Sequence, residues 1–332
     1  MTGSRNLITD VAGLSVGNAH DEALGSGVTV VLFERSTVVS CAVMGGAPGT
    51  RETDLLEPDK LAIGADAIVL SGGSAYGLDA ASAVQAYLRE RGLGMPFGSV
   101  RVPLVPQAIV FDLMNGGDKE WGRYPPYRDL GYRACLDAGH EFALGSAGGG
   151  YGATTIDLKG GLGSASAVTP SGHTVGTLAV VNSISSAIIG DGPHFWAGAY
   201  EEGDEFGGLG LPSRVTPAMR KLVWKGGRQP ATTIALVATN AVLTKSQAKR
   251  LAVAAHGGIA KSLRFAHGLF DGDVVFTAAT GRNPMRDEAF EFIELAALAG
   301  DCLARAVARG VYEAKALPYL DRPAWSDRFG RR

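Results

Sequence analysis

The stretch GGRQPATTIALVATN, residues 226–240, passes from loop to buried strand within a few residues. Gly226, Gly227 and Pro230 break regular structure, Ile234, Leu236 and Val237 belong to a strand, and Thr232 and Thr233 stand at the changeover. A buried strand needs cover on its faces, and other segments supply the candidates. Residues 66–92, DAIVLSGGSAYGLDAASAVQAYLRERG, read as a strand, a glycine turn and a helix whose Leu78, Ala81, Val84 and Leu88 recur at helical spacing. Alternation in HTVGTLAVVN (173–182) predicts a strand that ends at Asn182 and pairs with SASAV (164–168) through a turn at Pro170, Ser171 and Gly172.

Thr244 and Gln247 form a capping box that opens a helix through about Leu263, and VVFTAAT (274–280) is the next strand. A last long helix, from about Asp287 to Ala314, carries Phe290, Ile293, Leu295, Leu298, Leu303 and Val307 on its apolar side. Periodicity vanishes between Ile189 and Ala231, far beyond the roughly 12–15 residues usual for a structureless loop. A short helix is expected inside it at Pro217–Val223, and the arginine-rich end SDRFGRR (326–332) reads as a solvated tail. Strands in groups with helices between the groups predict a layered α/β sandwich.

Composition excludes several functions. A formal net charge of −2 leaves no basic face for nucleic acid, so small molecules or copies of the chain itself are the expected partners. Cys41, Cys135 and Cys302 are scattered and odd in number, which suits a reducing cytoplasm. The first residues lack a basic start followed by an apolar run, and no stretch approaches the ~20 apolar residues of a membrane span. No metal and no cofactor are expected: the six histidines have no ligand spacing, and the glycine runs at 71–81 and 145–161 lack the nucleotide fingerprints.

Two threonines at a strand start ordinarily serve packing. A cleavable loop just upstream changes the reading. Breaking the Ala231–Thr232 bond would give Thr232 an α-amine of pKa about 7.7–8.0, able to act as base for its own hydroxyl. The same hydroxyl could make the cut by attacking the preceding carbonyl. Asp271 and Asp273, in LFDGDVVF, are either a polar turn before a strand or carboxylates that orient Thr232 and handle its proton. Lys159 is either a loop lysine or a desolvated ammonium near the threonine. Asn182 either caps a strand end or donates to a developing oxyanion, and Tyr76 offers a hydroxyl from a glycine-rich turn.

Seven stretches in collinear order cover most of the chain: 8–20 (ITDVAGLSVGNAH), 45–56 (GGAPGTRETDLL), 71–81 (SGGSAYGLDAA), 158–166 (LKGGLGSAS), 175–182 (VGTLAVVN), 231–240 (ATTIALVATN) and 255–280 (AHGGIAKSLRFAHGLFDGDVVFTAAT). Together they resemble the self-cleaving amidohydrolases that include the L-aminopeptidase/D-esterase enzymes, β-peptidyl aminopeptidases and nylon oligomer (6-aminohexanoate oligomer) hydrolases. The resemblance implies one α/β domain over 1–332, an αββα layered sandwich of the N-terminal-nucleophile, ornithine acetyltransferase-like type. It implies a precursor cut between Ala231 and Thr232 into a large subunit, 1–231, and a small one, 232–332, and a homo-oligomer, a tetramer of cut protomers. Carried over by position, Thr232 is the nucleophile, Asp271 and Asp273 the supporting carboxylates, Lys159 a charged neighbour, and Asn182 with Tyr76 the oxyanion donors. Thr233 is the structural member of the pair, facing the other side of the strand. The implied substrates are short peptides or amino-acid amides and ω-amino-acid oligomers, with no cofactor.

Two departures stand out. Many relatives carry Asn or Gly before the nucleophile, where this chain has Ala231 preceded by Pro230. The aminopeptidases often pair a serine nucleophile with Ser-x-Glu, where this chain has Thr232 with Asp-Gly-Asp. The first keeps open a second reading, an uncut, non-enzymatic small-molecule-binding protein of the same fold.

Overall fold

The computed structural model describes residues 2–226 and 230–330; Gly227 and the two final arginines of the SDRFGRR tail lie outside the described residues. In chain order the strands and helices are β1 (Leu14–Asp21), β2 (Ser26–Val43), β3 (Thr50–Arg51), β4 (Gly64–Ser71), α1 (Ser74–Gly77) and α2 (Ala80–Glu90). The small hairpin β5 (Met95–Phe97) and β6 (Val100–Val102) follows, then β7 (Gln107–Ile109), α3 (Tyr127–Leu136), β8 (Gly161–Val168) and β9 (Thr174–Asn182). The chain ends with β10 (Thr232–Ala241), α4 (Lys245–Ser262), β11 (Val274–Asn283), α5 (Glu288–Tyr312) and α6 (Trp325–Phe329).

Nine strands hydrogen-bond in the order β3-β7-β4-β2-β11-β10-β9-β8, with β1 also on β2. β2 joins two layers. Its first half pairs with β1 and β4, its last residues pair with β11, and the register against β4 shifts between Leu32 and Thr37, where Glu34, Arg35 and Ser36 are exposed. Ile68 and Leu70 of β4 therefore meet Ile234 and Leu236 of β10 face to face, in an apolar interior between strands that share no ladder. α2 and α3 cover the outer face of β1, β2 and β4, and α4 and α5 cover the outer face of β8 to β11. This is the expected αββα sandwich.

Local chemistry explains most boundaries. β8 and β9 form the expected hairpin, with Gly172 of its turn at φ +90°. Thr244 caps α4: its hydroxyl accepts from Gln247 N–H at 3.2 Å while the Gln247 side chain accepts from Thr244 N–H at 2.8 Å. The 66–92 helix breaks at Leu78 and Asp79 into α1 and α2, with Ala81, Val84 and Leu88 buried as expected. Among the described residues no helix is long and apolar enough to cross a membrane.

Three expectations need correction. Residues 217–223 make a single turn, not a helix, because Leu222, Val223 and Trp224 are exposed and find no core to bury an apolar face against. Phe290 and Ile293 point outward from the first turns of α5, where Glu291 instead faces the sheet and bonds buried His173 Nε2 at 2.6 Å. Much of SDRFGRR is helix rather than solvated tail, since α6 is anchored by buried Trp325, stacked on Phe195 and donating Nε1–H to Pro193 O.

The long 190–231 segment is fastened to α5 by a buried ion pair. Arg305 grips Glu205 through Nε at 2.5 Å and Nη2 at 2.9 Å, and its guanidinium also reaches Asn6 Oδ1. Arg305→Met would leave the buried Glu205 carboxylate with only Arg309, 3.8 Å away, as its cation. We expect a loss of about 3–5 kcal/mol in urea unfolding, with part regained when Glu205 is also replaced by an apolar residue.

Candidate active site

Thr232 opens β10 with β9 on one side and β11 on the other. Even-numbered β10 residues such as Ile234 and Leu236 enter the inter-sheet core, whereas Ala235 and Val237 face α4 and α5. Alternation puts Thr232 on the first side and Thr233 on the second, as expected. Directly across the antiparallel ladder from Thr232 stands Asn182, the last residue of β9.

The peptide before Thr232 is held as tightly as the strand after it. Ala231 pairs with Asp271: its N–H donates to Phe270 O at 3.0 Å, and its carbonyl oxygen accepts from Gly272 N–H at 2.8 Å. The Thr232 hydroxyl donates to that same oxygen at 2.5 Å. Two donors on one carbonyl withdraw charge from its carbon. Gly272 is required here, because a Cβ at that position would sit 2.8 Å from Thr232 Oγ1 and 2.8 Å from Ala47 O.

Asp271 and Asp273 are both buried. Asp273 Oδ1 accepts from Thr233 N–H at 2.7 Å, while Oδ2 accepts from His267 N–H at 3.0 Å and His267 Nδ1–H at 2.8 Å. Asp271 Oδ2 accepts from Gly268 N–H at 2.8 Å. Burial and the neighbouring Asp273 charge push Asp271 up to about 6, against the smaller opposing effects of the Gly268 N–H, His267 and Lys225. Among the described residues, neither carboxylate bonds the Thr232 hydroxyl in the intact chain. They hold the peptides around it instead.

The Asn182 amide is oriented by its partners. Its oxygen accepts from Thr154 N–H at 3.0 Å and Lys225 Nζ at 3.2 Å, so its NH2 is the free donor end, resting on Phe111 O at 2.8 Å. Asn182, Thr154, Lys225, Pro230, Asp112 and Arg322 lie around a cleft of about 270 Å³. Lys159 is fully buried, its ammonium donating to the carbonyls of Gly150, Ala153 and Gly160 at 2.8–3.1 Å. Burial pushes it down to about 7 despite Asp112, with Lys225 adding to the shift. Lys159 shores up the floor behind Thr154 and makes no hydrogen bond to Thr232.

Tyr76 makes no hydrogen bond to Thr232 or Asn182 among the described residues. It sits on α1, 53% exposed, with its ring edge against Trp121, and it does not line the cleft. The sequence reading missed Lys225 and His267. Lys225 is buried, also donates to Thr154 O at 2.9 Å, and is pushed down to about 7 by burial and by Arg322, against Asp271. Its only sequence signal is a lysine in apolar company just ahead of Gly226. His267 lies four residues before Asp271, a proximity to which metal-ligand spacing is blind.

The chain is similar to known proteins in sequence and in fold. The family model described as Peptidase family S58 matches residues 6–322. The chain is 41% identical over 345 aligned residues to an uncharacterized aminopeptidase of Mycobacterium bovis, covering 98% of each chain. It is 34% identical over 158 residues to a 6-aminohexanoate-oligomer endohydrolase of Kocuria sp., covering 46% of this chain and 40% of that one. Its fold is similar, with a TM-score of 0.71 at 19% identity, to the L-aminopeptidase D-Ala-esterase/amidase of Ochrobactrum anthropi, described as a variant of the Ntn hydrolase fold; 100% of this chain and 96% of that one are covered.

Lys159→Met would strip three buried carbonyls of their donor, and we expect a loss on the order of 3 kcal/mol in urea unfolding. The difference should grow as pH rises from about 7 towards 10. In that window the folded lysine is neutral while the unfolded one still binds a proton, so the wild type gains stability with pH and the variant lacks that gain.

Proposed function

The chain belongs to peptidase family S58, a family of amide-bond hydrolases, and on that premise we propose that its nucleophile is Thr232, freed by self-cleavage of the Ala231–Thr232 bond. One observation carries the proposal: the Thr232 hydroxyl lies 2.5 Å from the oxygen of the carbonyl it would attack, and Gly272 N–H already holds that oxygen. In the cut, Oγ1 bonds to the Ala231 carbonyl carbon, the C–N bond breaks, and the hydroxyl proton passes to the Thr232 nitrogen. Water then hydrolyses the ester, leaving a carboxylate on Ala231 and a free α-amine on Thr232.

Turnover repeats the same chemistry on a substrate. The α-amine takes the hydroxyl proton, Oγ1 attacks the substrate amide, and the Asn182 NH2 turns from Phe111 O to the oxyanion. The amine then gives its proton to the leaving nitrogen, and water releases the acyl group. Asp271, raised by burial, exchanges a proton with the amine near neutral pH. Tyr76 has no part in this scheme. The names of the relatives favour short peptides or amino-acid amides as substrates, with ω-amino-acid oligomers second. Assembly into a homo-oligomer belongs to the same reading, supported by Leu61, Ile63 and Phe97, exposed around adjoining shallow grooves.

Intact mass under denaturing conditions tests the cut. Two fragments of roughly 24 and 10 kDa are expected, in proportion to residues, with threonine opening the smaller. Thr232→Ala should stay whole and lose turnover of aminoacyl amides. A wild-type chain that persists uncut would instead favour the binding-protein reading. In the cut enzyme, kcat should fall as pH drops below neutrality, first as the α-amine, of ordinary pKa about 7.7–8.0, and then as Asp271, raised by burial, take up protons. Asp271→Asn should lower kcat on the order of 10²-fold and leave only the amine's part of that limb.

A further inference from the structure

His267 adopts φ +61°, a left-handed backbone that disfavours a non-glycine residue. The conformation aims its N–H and its ring Nδ1–H at one oxygen of Asp273, at 3.0 and 2.8 Å. On its other side the ring stands edge-on to buried His256, 4.8 Å between centroids, and His256 donates Nε2–H to Ala42 O on β2. The groups facing His267 are thus Asp273, Asp271 and, from α4, His256. Burial leaves His256 neutral, pushed down to about 4 against the raising effect of the Ala42 bond. Burial works against a charged His267 as well, but the Asp273 hydrogen bond and the two carboxylates outweigh it and raise its proton affinity.

Self-cleavage changes what holds the nucleophile. In the intact chain Thr232 is tethered upstream by the two hydrogen bonds between Ala231 and Phe270–Gly272. Breaking the bond before Thr232 hands both to the departing segment. On the β11 side the nearest anchor left is the Thr233 N–H, one peptide beyond Thr232, bonded to Asp273 Oδ1 at 2.7 Å. A chain terminus frays unless it is tied down.

We propose that His267 is a positioning residue for turnover: by clamping the far oxygen of Asp273, it fixes the carboxylate that holds Thr233 and so keeps the freed Thr232 in place. This rests on Thr232 being the nucleophile. It predicts an asymmetry, because the precursor has the upstream tether and the cut enzyme lacks it.

The test compares His267→Gly, which suits the left-handed backbone but has no ring, with His267→Asn, which also tolerates that backbone and offers an amide donor. Rate of the cut, by intact mass, and kcat and KM per cut protomer are measured for both. His267→Gly should slow turnover far more than the cut, with kcat down on the order of 10²-fold and KM little changed. Added imidazole should restore part of kcat, and His267→Asn should recover part of it without imidazole. Equal losses in cut and turnover, or a His267→Gly enzyme within about twofold of wild type, would overturn this role while leaving Thr232 as nucleophile. A wild-type chain that neither cuts nor turns over would remove the nucleophile reading, and this role with it.

Discussion

The parallel register between β10 and β11 is the constraint on which the site depends. It pairs Ile234 with Val274 and, carried upstream past the end of both strands, pairs Ala231 with Asp271. That pairing sets the bond before Thr232 against Asp-Gly-Asp: the glycine N–H on the carbonyl, one carboxylate on each side of the glycine. A slip of one residue would turn every side chain to the wrong face. The register is secured by the covering layers rather than by the site, since Ile234, Leu236, Val274 and Phe276 on one face, and Ala235, Val237 and Val275 on the other, are all fully buried.

Around that register the protein concentrates charge where water is scarce. Lys159, Lys225, Asp271 and Asp273 are each nine-tenths or more buried. Buried charges are tolerable only when hydrogen-bonded, and here the partners are chiefly backbone: three carbonyls for Lys159, two carbonyls and the Asn182 amide oxygen for Lys225, amide N–H groups for the carboxylates. The consequence is electrostatic. Both lysines are driven to about 7 and Asp271 to about 6, so three buried groups hold or release protons close to neutrality. An acyl transfer that must move one proton from a hydroxyl to a nitrogen and back is helped by such neighbours.

The sequence made the strands and helices of the second half legible because their burial follows a period: β8 to β11 and α4 lie where alternation and the Thr244 cap put them. Thr232, Asn182, Asp271 and Asp273 were legible for a related reason, since each sits at the end of a recognisable strand and strand ends converge at one edge of a sheet. Lys225 and His267 left no comparable trace. Their environment comes from segments distant in sequence: Lys225 is buried by contact with Thr154 and Asn182, and His267 stands against His256 of α4. Tyr76 left the opposite trace: the glycine-rich turn beside it suggests close packing, and its ring is exposed and edge-on to Trp121. The outward Phe290 and Ile293 follow the helical period well enough, but a period says only that a face exists, and Glu291 shows which face α5 turns to the sheet there.

The two proposed reactions at one threonine pose a geometric problem on which the carbonyl partners bear. In the proposed cut the oxyanion would form on Ala231, whose carbonyl oxygen already accepts from Gly272 N–H. In the proposed turnover the substrate carbonyl would enter from the cleft that Asn182 lines. The two donors lie on opposite sides of β10, on the residues leading into β11 and on β9 respectively. A hydroxyl between them can serve both in turn, provided the strand that carries it does not shift once its upstream half is gone. On the proposal above, the carboxylate of Asp273 on the peptide after Thr232 would supply that fixity, and His267 would serve by holding that carboxylate rather than by touching the substrate.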